Sequence, residues 1–236
     1  MDCIIFMMDP KYLTVYQSPY KKHRIGQAGD GGYLICDIPN IEYDILVAGG
    51  VDNNVAFEEH FCNIYENTIC FAYDGTIDAI ETKNKNILFI KQNISHNGDD
   101  GTTNLHHLLD SATCVFIKMD IEGWEIPWLL SLTEEHFSKI AQIVMEFHRP
   151  FDEMGGEALR RLATFFSLVH FHPNNCCGCR EHEGVVIPNV FECTFINKKY
   201  MNGKFILNTD PVPSELDIQN LHYHDEIHVN HPPFRH

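Results

Sequence analysis

IKMDIEGWE, Ile117 to Glu125, is the stretch on which the fold turns. The residues leading into it, ATCVFIKM (Ala112 to Met119), are short, apolar and partly β-branched, so they read as a buried strand. The run stops on Asp120 and Glu122, two acids either side of Ile121, and passes through Gly123 towards a helical segment. In an open α/β sheet, ligands sit in the crevice outside the carboxyl ends of the strands. Acids at such a place face a ligand, a metal or a reacting group, or else they stabilise the N-terminus of the next helix.

On either side of this stretch the pattern alternates strand and helix. YDILVAGG (Tyr43 to Gly50) is an apolar strand running into glycines. NNVAFEEHFCNIY (Asn53 to Tyr65) puts Phe57, Phe61, Ile64 and Tyr65 on one helical face, with Asn53 or Asn54 as N-cap. TICFAYD (Thr68 to Asp74) and NILFIKQN (Asn86 to Asn93) are further strands, and TTNLHHLLD (Thr102 to Asp110) reads as a threonine-capped helix. After the central strand come a helix in WEIPWLLSL, a strand in AQIVMEFH (Ala141 to His148) and a helix in EALRRLATFFSL (Glu157 to Leu168). VHFHP and NVFECTFINKKY (Asn189 to Tyr200) follow with no helix between them, hence an antiparallel pair. The expectation is a three-layer α/β sandwich with a mostly parallel sheet, in one domain spanning 1–236. Its core covers about 22–200, and a C-terminal segment, 201–236, wraps around it.

Composition narrows the partners. With 17 basic against 33 acidic residues and a net charge of −16, the surface repels phosphate backbones, so nucleic acid is not expected. No apolar run approaches the roughly 18 residues of a membrane span. The opening residues lack a basic n-region and a small-residue cleavage site, so a cytosolic protein is expected. Its nine cysteines then read as reduced thiols. The cluster NNCCGCREH (Asn174 to His182) has no second CxxC partner and reads as a loop with free thiols rather than a zinc site. Five histidines from His222 to His236 suggest a solvated tail. The residues leave the oligomeric state open.

The chemistry gathers at strand ends. Gly49 and Gly50 lie between a strand and a helix, where glycine lets the backbone approach a ligand. Asp74 follows 24 positions after Gly50, near the spacing at which an acid takes ribose hydroxyls. Together they suggest an adenosine-containing cofactor; the plain alternative is a turn and a helix cap. Glu146 and His148 end one strand on the same face, and His172, Asn174 and Asn175 end another. A lone histidine at a strand end is usually structural, but here Asp120, Glu122, Glu146, His148 and His172 would meet at adjacent strand ends.

AGDGGYLIC (Ala28 to Cys36), LVAGGVDNNVAFEEHF, CFAYDGT, FIKMDIEGWE, VMEFH, FHPNN and FECTF together resemble the FkbM-like S-adenosylmethionine-dependent methyltransferases, from about Lys22 to Tyr200. The resemblance implies a Rossmann-like class I methyltransferase fold, seven strands with the last antiparallel, and O-methylation of a sugar or glycan hydroxyl. The glycine loop departs from the G-x-G form: Ala48-Gly49-Gly50 replaces it, so Asp52 and Asn53 become the polar cofactor contacts. Gly75, beside Asp74, and Asn93, Ile94 and Ser95 are expected along the adenosine, and Asp30 and Gly31 at the amino-acid end of the cofactor. A sugar hydroxyl needs a general base or a metal to lower its pKa. Asp120, Glu146, His148 and His172 are the catalytic candidates, with Glu122, Asn174 and Asn175 towards the acceptor. Asp120, Glu146 and His148 are the candidate ligands for a divalent cation, Mg or Mn. Other readings are a small-molecule hydroxyl or protein side-chain acceptor, or a cofactor-fold binding module without turnover.

Overall fold

The computed structural model describes residues 8–99 and 101–236. A hairpin of β1 (Lys22–Ile25) and β2 (Tyr33–Cys36) precedes β3 (Ile45–Gly49), α1 (Ala56–Ile64), β4 (Ile69–Tyr73) and β5 (Ile87–Ile90). Short β6 (Asn93–Ile94) and β7 (Thr102–Thr103) are followed by α2 (His106–Ser111), β8 (Val115–Met119), α3 (Glu125–Ser131) and α4 (Glu134–Lys139). Then come β9 (Ile140–His148), α5 (Glu153–Phe165), β10 (Phe166–Pro173), the small hairpin β11 (Cys179–His182) and β12 (Val185–Pro188), and β13 (Val190–Asn197).

Seven strands form the central sheet in the order β10-β13-β9-β8-β3-β4-β5. Pairings from β9 through β5 are parallel, while β13 runs antiparallel to both its neighbours. This is the class I methyltransferase arrangement, as expected. Alternation along the strands divides the core between the two faces. Val115, Ile117 and Met119 of β8 pack with Leu109, Trp128, Phe137 and Leu159 from α2, α3, α4 and α5. Phe116 points the other way, into a cluster with Phe57 and Phe61 of α1 and Tyr33 and Ile35 of β2. Strand order reverses between β3 and β8, so the crevice expected at such a switch point opens over Gly50 and Asp120.

Three local expectations are corrected. Thr102 and Thr103 do not cap a helix; they form β7 against Asn93 and Ile94, and α2 starts later, after Leu105. The helix expected over 157–168 begins at Glu153, capped by Asp152 Oδ1, which accepts from Gly155 N at 2.8 Å. Poor helix propensity of the Gly155–Gly156 pair hides that first turn, but a Cβ at Gly155 would stand 2.3 Å from the Pro150 carbonyl oxygen. Cys176 and Cys177 are not free thiols but a vicinal disulfide. In the hairpin just after it, His182 Nε2 lies 2.6 Å from the Met8 carbonyl oxygen.

The C-terminal segment is also not a solvated tail. Val212, Val229 and Phe234 are buried in the main core, and the Phe234 ring lies 4.4 Å from that of Phe171, centroid to centroid. Each such side chain contributes about 1.5–3 kcal/mol by leaving water. Polar ties fix the rest: His170 Nε2 meets Asp217 Oδ1 at 2.8 Å, and Asn175 Nδ2 donates to the Leu221 and His224 carbonyls. His222, His224 and His228 keep their exposure on the outer side of this docked segment.

Candidate functional site

A cavity of about 660 Å³ occupies the switch-point crevice. Among the expected residues, Asp30, Gly50, Asp52, Asp74, Asn93, Ile94, Ser95, Asp120 and Glu122 line it. Ala48 and Gly49 lie beneath it: a Cβ at Gly49 would meet Ile94 Cδ1 at 2.5 Å, so glycine here answers to packing against the cavity floor. Gly75 donates its N–H to Asn93 Oδ1 at 3.0 Å, which ties two lining loops together. Asn53, Gly31, Glu146, His148, His172, Asn174 and Asn175 are outside the lining.

At one end stands Asp74. Its carboxylate accepts from Asp52 N at 2.9 Å, Thr76 N at 2.8 Å and Thr76 Oγ1 at 2.6 Å. Burial opposes its ionisation, but those bonds and nearby Lys118 outweigh it and lower its pKa. A carboxylate has about four acceptor positions, so Asp74 retains room for one hydroxyl. Between the ends, Gly50 is left-handed at φ +70°, its N–H held by Tyr73 O and its carbonyl by Lys118 Nζ at 2.5 Å.

At the other end is Asp120. Tyr33 donates its hydroxyl to Asp120 Oδ2 at 3.1 Å. Burial, and then the charge of Asp120, push the Tyr33 pKa well up, so it stays a donor. Burial also raises Asp120, to about 6, against the pull of Lys118 and His148. Glu146, beside it, is raised to about 7 by burial and by the neighbouring Asp120 and Glu192 charges.

Behind the acids, His148 is enclosed by carboxylates. Its Nδ1 meets Glu125 Oε1 at 3.2 Å; its Nε2 meets Glu146 Oε1 at 3.2 Å and Glu122 Oε2 at 3.3 Å. Burial works against the imidazolium, but Glu125 and Glu146 push its pKa up to about 11. Glu125 is fully buried and also accepts from Ile121 N and Gly123 N, which fixes the loop after β8. His172 is fully buried too, with Nδ1 at 3.0 Å from Glu192 Oε2; burial is again outweighed, here by Glu192, and its pKa rises to about 9. Asn174 Nδ2 donates to Glu146 Oε2 at 3.1 Å.

Asp120, Glu146 and His148 bring one potential ligand atom each within 4.8 Å of one another. Both ring nitrogens of His148 face carboxylates, Nδ1 that of Glu125 and Nε2 those of Glu146 and Glu122. Sequence reasoning overlooked several residues. Lys118 was visible as a lysine inside an apolar strand, a costly placement unless its charge is used. Trp124 and His96, which also line the cavity, form a nearly parallel ring pair, 6.2 Å between centroids and 13° between planes. Their loops are distant in sequence, and no local pattern joins them.

No protein-family model matches this chain. No curated protein matches it. Among solved structures it is similar to the precorrin-6y C5,15-methyltransferase of Geobacter metallireducens, at 12% identity over 67% of this chain and 82% of that one, TM-score 0.38. It is also similar to TrmN of Thermus thermophilus (10%, 68% and 46%, TM-score 0.36) and to the antibiotic-resistance methyltransferase Kmr (11%, 73% and 99%, TM-score 0.33). At these TM-scores the likenesses carry no argument, and the fold rests on the sheet itself: its strand order, with the antiparallel β13, is that of the class I methyltransferase fold.

Proposed function

We propose that this protein is an S-adenosylmethionine-dependent O-methyltransferase of the FkbM-like kind, acting on a sugar or glycan hydroxyl. The observation that carries the reading is one cavity bordered by the ends of three adjacent strands: Asp74 after β4, Gly50 after β3 and Asp120 after β8. The residues suit the cofactor. Asp74 has an acceptor position for the ribose, Asn93 to Ser95 border the adenine side, and an acidic far end favours a cationic sulfonium. The cofactor supplies an electrophilic methyl group for in-line transfer, a reaction governed by positioning.

The chain's own part is to hold the acceptor and take its proton. A base that already holds a proton cannot accept one, which argues against His148 and His172. Asp120 lines the cavity, and burial raises its pKa to about 6. It is therefore the proposed base, with Tyr33 orienting it and the Glu125–His148–Glu146 chain behind it. Glu122 borders the acceptor, while Asn174 and Asn175 act from outside the cavity, Asn174 by bonding Glu146 and Asn175 by bonding the C-terminal segment.

Isothermal titration with S-adenosylhomocysteine tests the cofactor site. The wild type is expected to bind, and Asp74→Ala to bind ~10–100-fold more weakly, the worth of a hydrogen bond to a charged group. Absence of wild-type binding, or an unchanged affinity in Asp74→Ala, rejects the assignment. Incubation with labelled cofactor over a panel of free and nucleotide-linked sugars tests the acceptor. Label appearing only on peptides would rule out the sugar.

A further inference from the structure

The β10 edge of the sheet carries a surface patch unlike the acidic remainder of the protein. Val15 is bridged to Leu168 of β10, and Tyr16 in turn to Leu207. Gln17 N donates to Ile206 O at 2.8 Å. Residues 205–207 are thus tied down by their backbone, yet their side chains find little cover: Phe205, Ile206 and Leu207 are 48%, 55% and 40% exposed. Exposed apolar side chains are normally scattered singly over a protein surface, so three in a row call for an explanation. Phe205 also lies edge-on to Tyr16, 6.3 Å between ring centroids. The two rings border a hollow of about 260 Å³ with Tyr12, Lys11 and Lys198.

The charge around these side chains is basic. Against a net charge of −16, the stretch KKYMNGKFIL, residues 198–207, holds three lysines and no acid. Lys198, Lys199 and Lys204 are all exposed. Among the described residues the ion-paired lysines are Lys11, Lys91 and Lys139, so these three keep their charge unanswered. Lys198 and Lys199 rest their ammonium groups on the carbonyl oxygens of Ala163 and Ser138, at 2.6 and 2.7 Å. A second copy docked through the same patch would set lysine against lysine across a two-fold axis. Nucleic acid would answer the lysines but leave the apolar side chains in water. An anionic bilayer answers both, because its interface accepts apolar side chains whichever way they point and its surface potential attracts lysine. The acidic remainder of the protein opposes this only weakly, since physiological salt screens charges beyond about 8 Å.

We propose that this patch docks on the surface of an anionic bilayer, with Phe205, Ile206 and Leu207 entering the interface and Lys198, Lys199 and Lys204 meeting the headgroups. The protein then lies on the membrane without spanning it. Leu168 stands early in β10, which runs parallel to β9 because both oppose β13. The patch is therefore at the end of the sheet away from the cavity, which opens at the carboxyl ends of the parallel strands. Docking stands apart from the methyltransferase reading, because none of its residues lines that cavity.

Flotation of the full chain with vesicles of phosphatidylcholine, with and without phosphatidylserine, tests the surface. Binding is expected only with phosphatidylserine, at ~0.1–1 mM lipid, the reversible range of a single weak anchor. It should weaken as salt is raised. The double variant Phe205→Ser, Ile206→Ser should bind about tenfold more weakly or worse. Lys204→Glu, at an exposed position, should cost about fivefold or more. Unchanged thermal melts check that both variants fold. No flotation at ~1 mM lipid, equal flotation with both vesicle types, or variants that float like the wild type overturn the proposal. So does a dimer without flotation that Phe205→Ser, Ile206→Ser dissociates, which assigns the patch to a second copy. S-adenosylhomocysteine titration of the same samples reports separately on the cofactor site.

Discussion

Asp120→Asn is expected to lower kcat by ~10²–10⁴, the usual range for loss of a general base, while S-adenosylhomocysteine binds nearly as in the wild type. The amide keeps the size of the carboxylate and can still accept from Tyr33, so the fold has little reason to change. What disappears is the ability to take a proton in the transition state, which affects kcat more than substrate binding. The pH profile gives a second readout. Asp120 and Glu146 titrate as a pair with values of about 6 and about 7, and the base works only when ionised. Wild-type kcat/KM should therefore fall as pH drops through that window. The acidic limb should be lost in Asp120→Asn. If that variant turns over normally, Asp120 is structural and the reading of the site fails with it.

Gly50→Ala is expected to be the most damaging small substitution in the chain. A Cβ there would lie 1.7 Å from the Asp120 carbonyl oxygen and 2.8 Å from its carbon, both backbone atoms. Neither can yield, because Asp120 N is bonded to Gly49 O and Gly50 N to Tyr73 O. Left-handed backbone at φ +70° adds strain for any side chain. A loss above ~4 kcal/mol is expected, in the range reserved for clashes and backbone conflicts in packed interiors. Gly101→Ala is the control: φ is +88° there too, but no atom lies within 4 Å of the added carbon. It should cost only ~1–2 kcal/mol. Urea unfolding of both variants checks this; similar midpoints would show that crowding at Gly50 is relieved by movement.

Most of the sheet was legible in the sequence. Tyr43 to Gly50, Thr68 to Asp74 and Ala141 to His148 are short apolar runs ended by glycine, acid or histidine, and each is a central strand. Asp120 and Asp74 were recognisable because strand ends are where an α/β sheet meets its ligand. Register was not legible. That Glu192 stands opposite Glu146 depends on a pairing between segments 46 positions apart, which no local periodicity encodes. The state of His148 was hidden for the same reason, since Glu125 approaches it from the start of a helix, across 23 positions. Local chemistry misled at Thr102 and Thr103, where good capping residues were taken up by strand pairing instead. Histidine-rich composition misled at the C-terminal segment, because Val229 and Phe234, not the histidines, decide its position.

The docking of that segment has a consequence for the timing of assembly. Asp30 and Asn220 meet across 190 positions of chain, and Asn175 waits for Leu221 and His224. Chains are synthesised from the N-terminus at ~5–20 residues per second, and early parts begin to fold before later ones exist. The core around Phe57, Phe61 and Phe116 draws on residues up to Val144 and can collapse early. During that interval Asp30 and Glu146 are present without Glu192, Asn220 or the segment that covers them. Nascent chains stalled at successive lengths should thus acquire protease resistance in the sheet well before they can capture a ligand, so that competence arrives as a late and nearly all-or-none event.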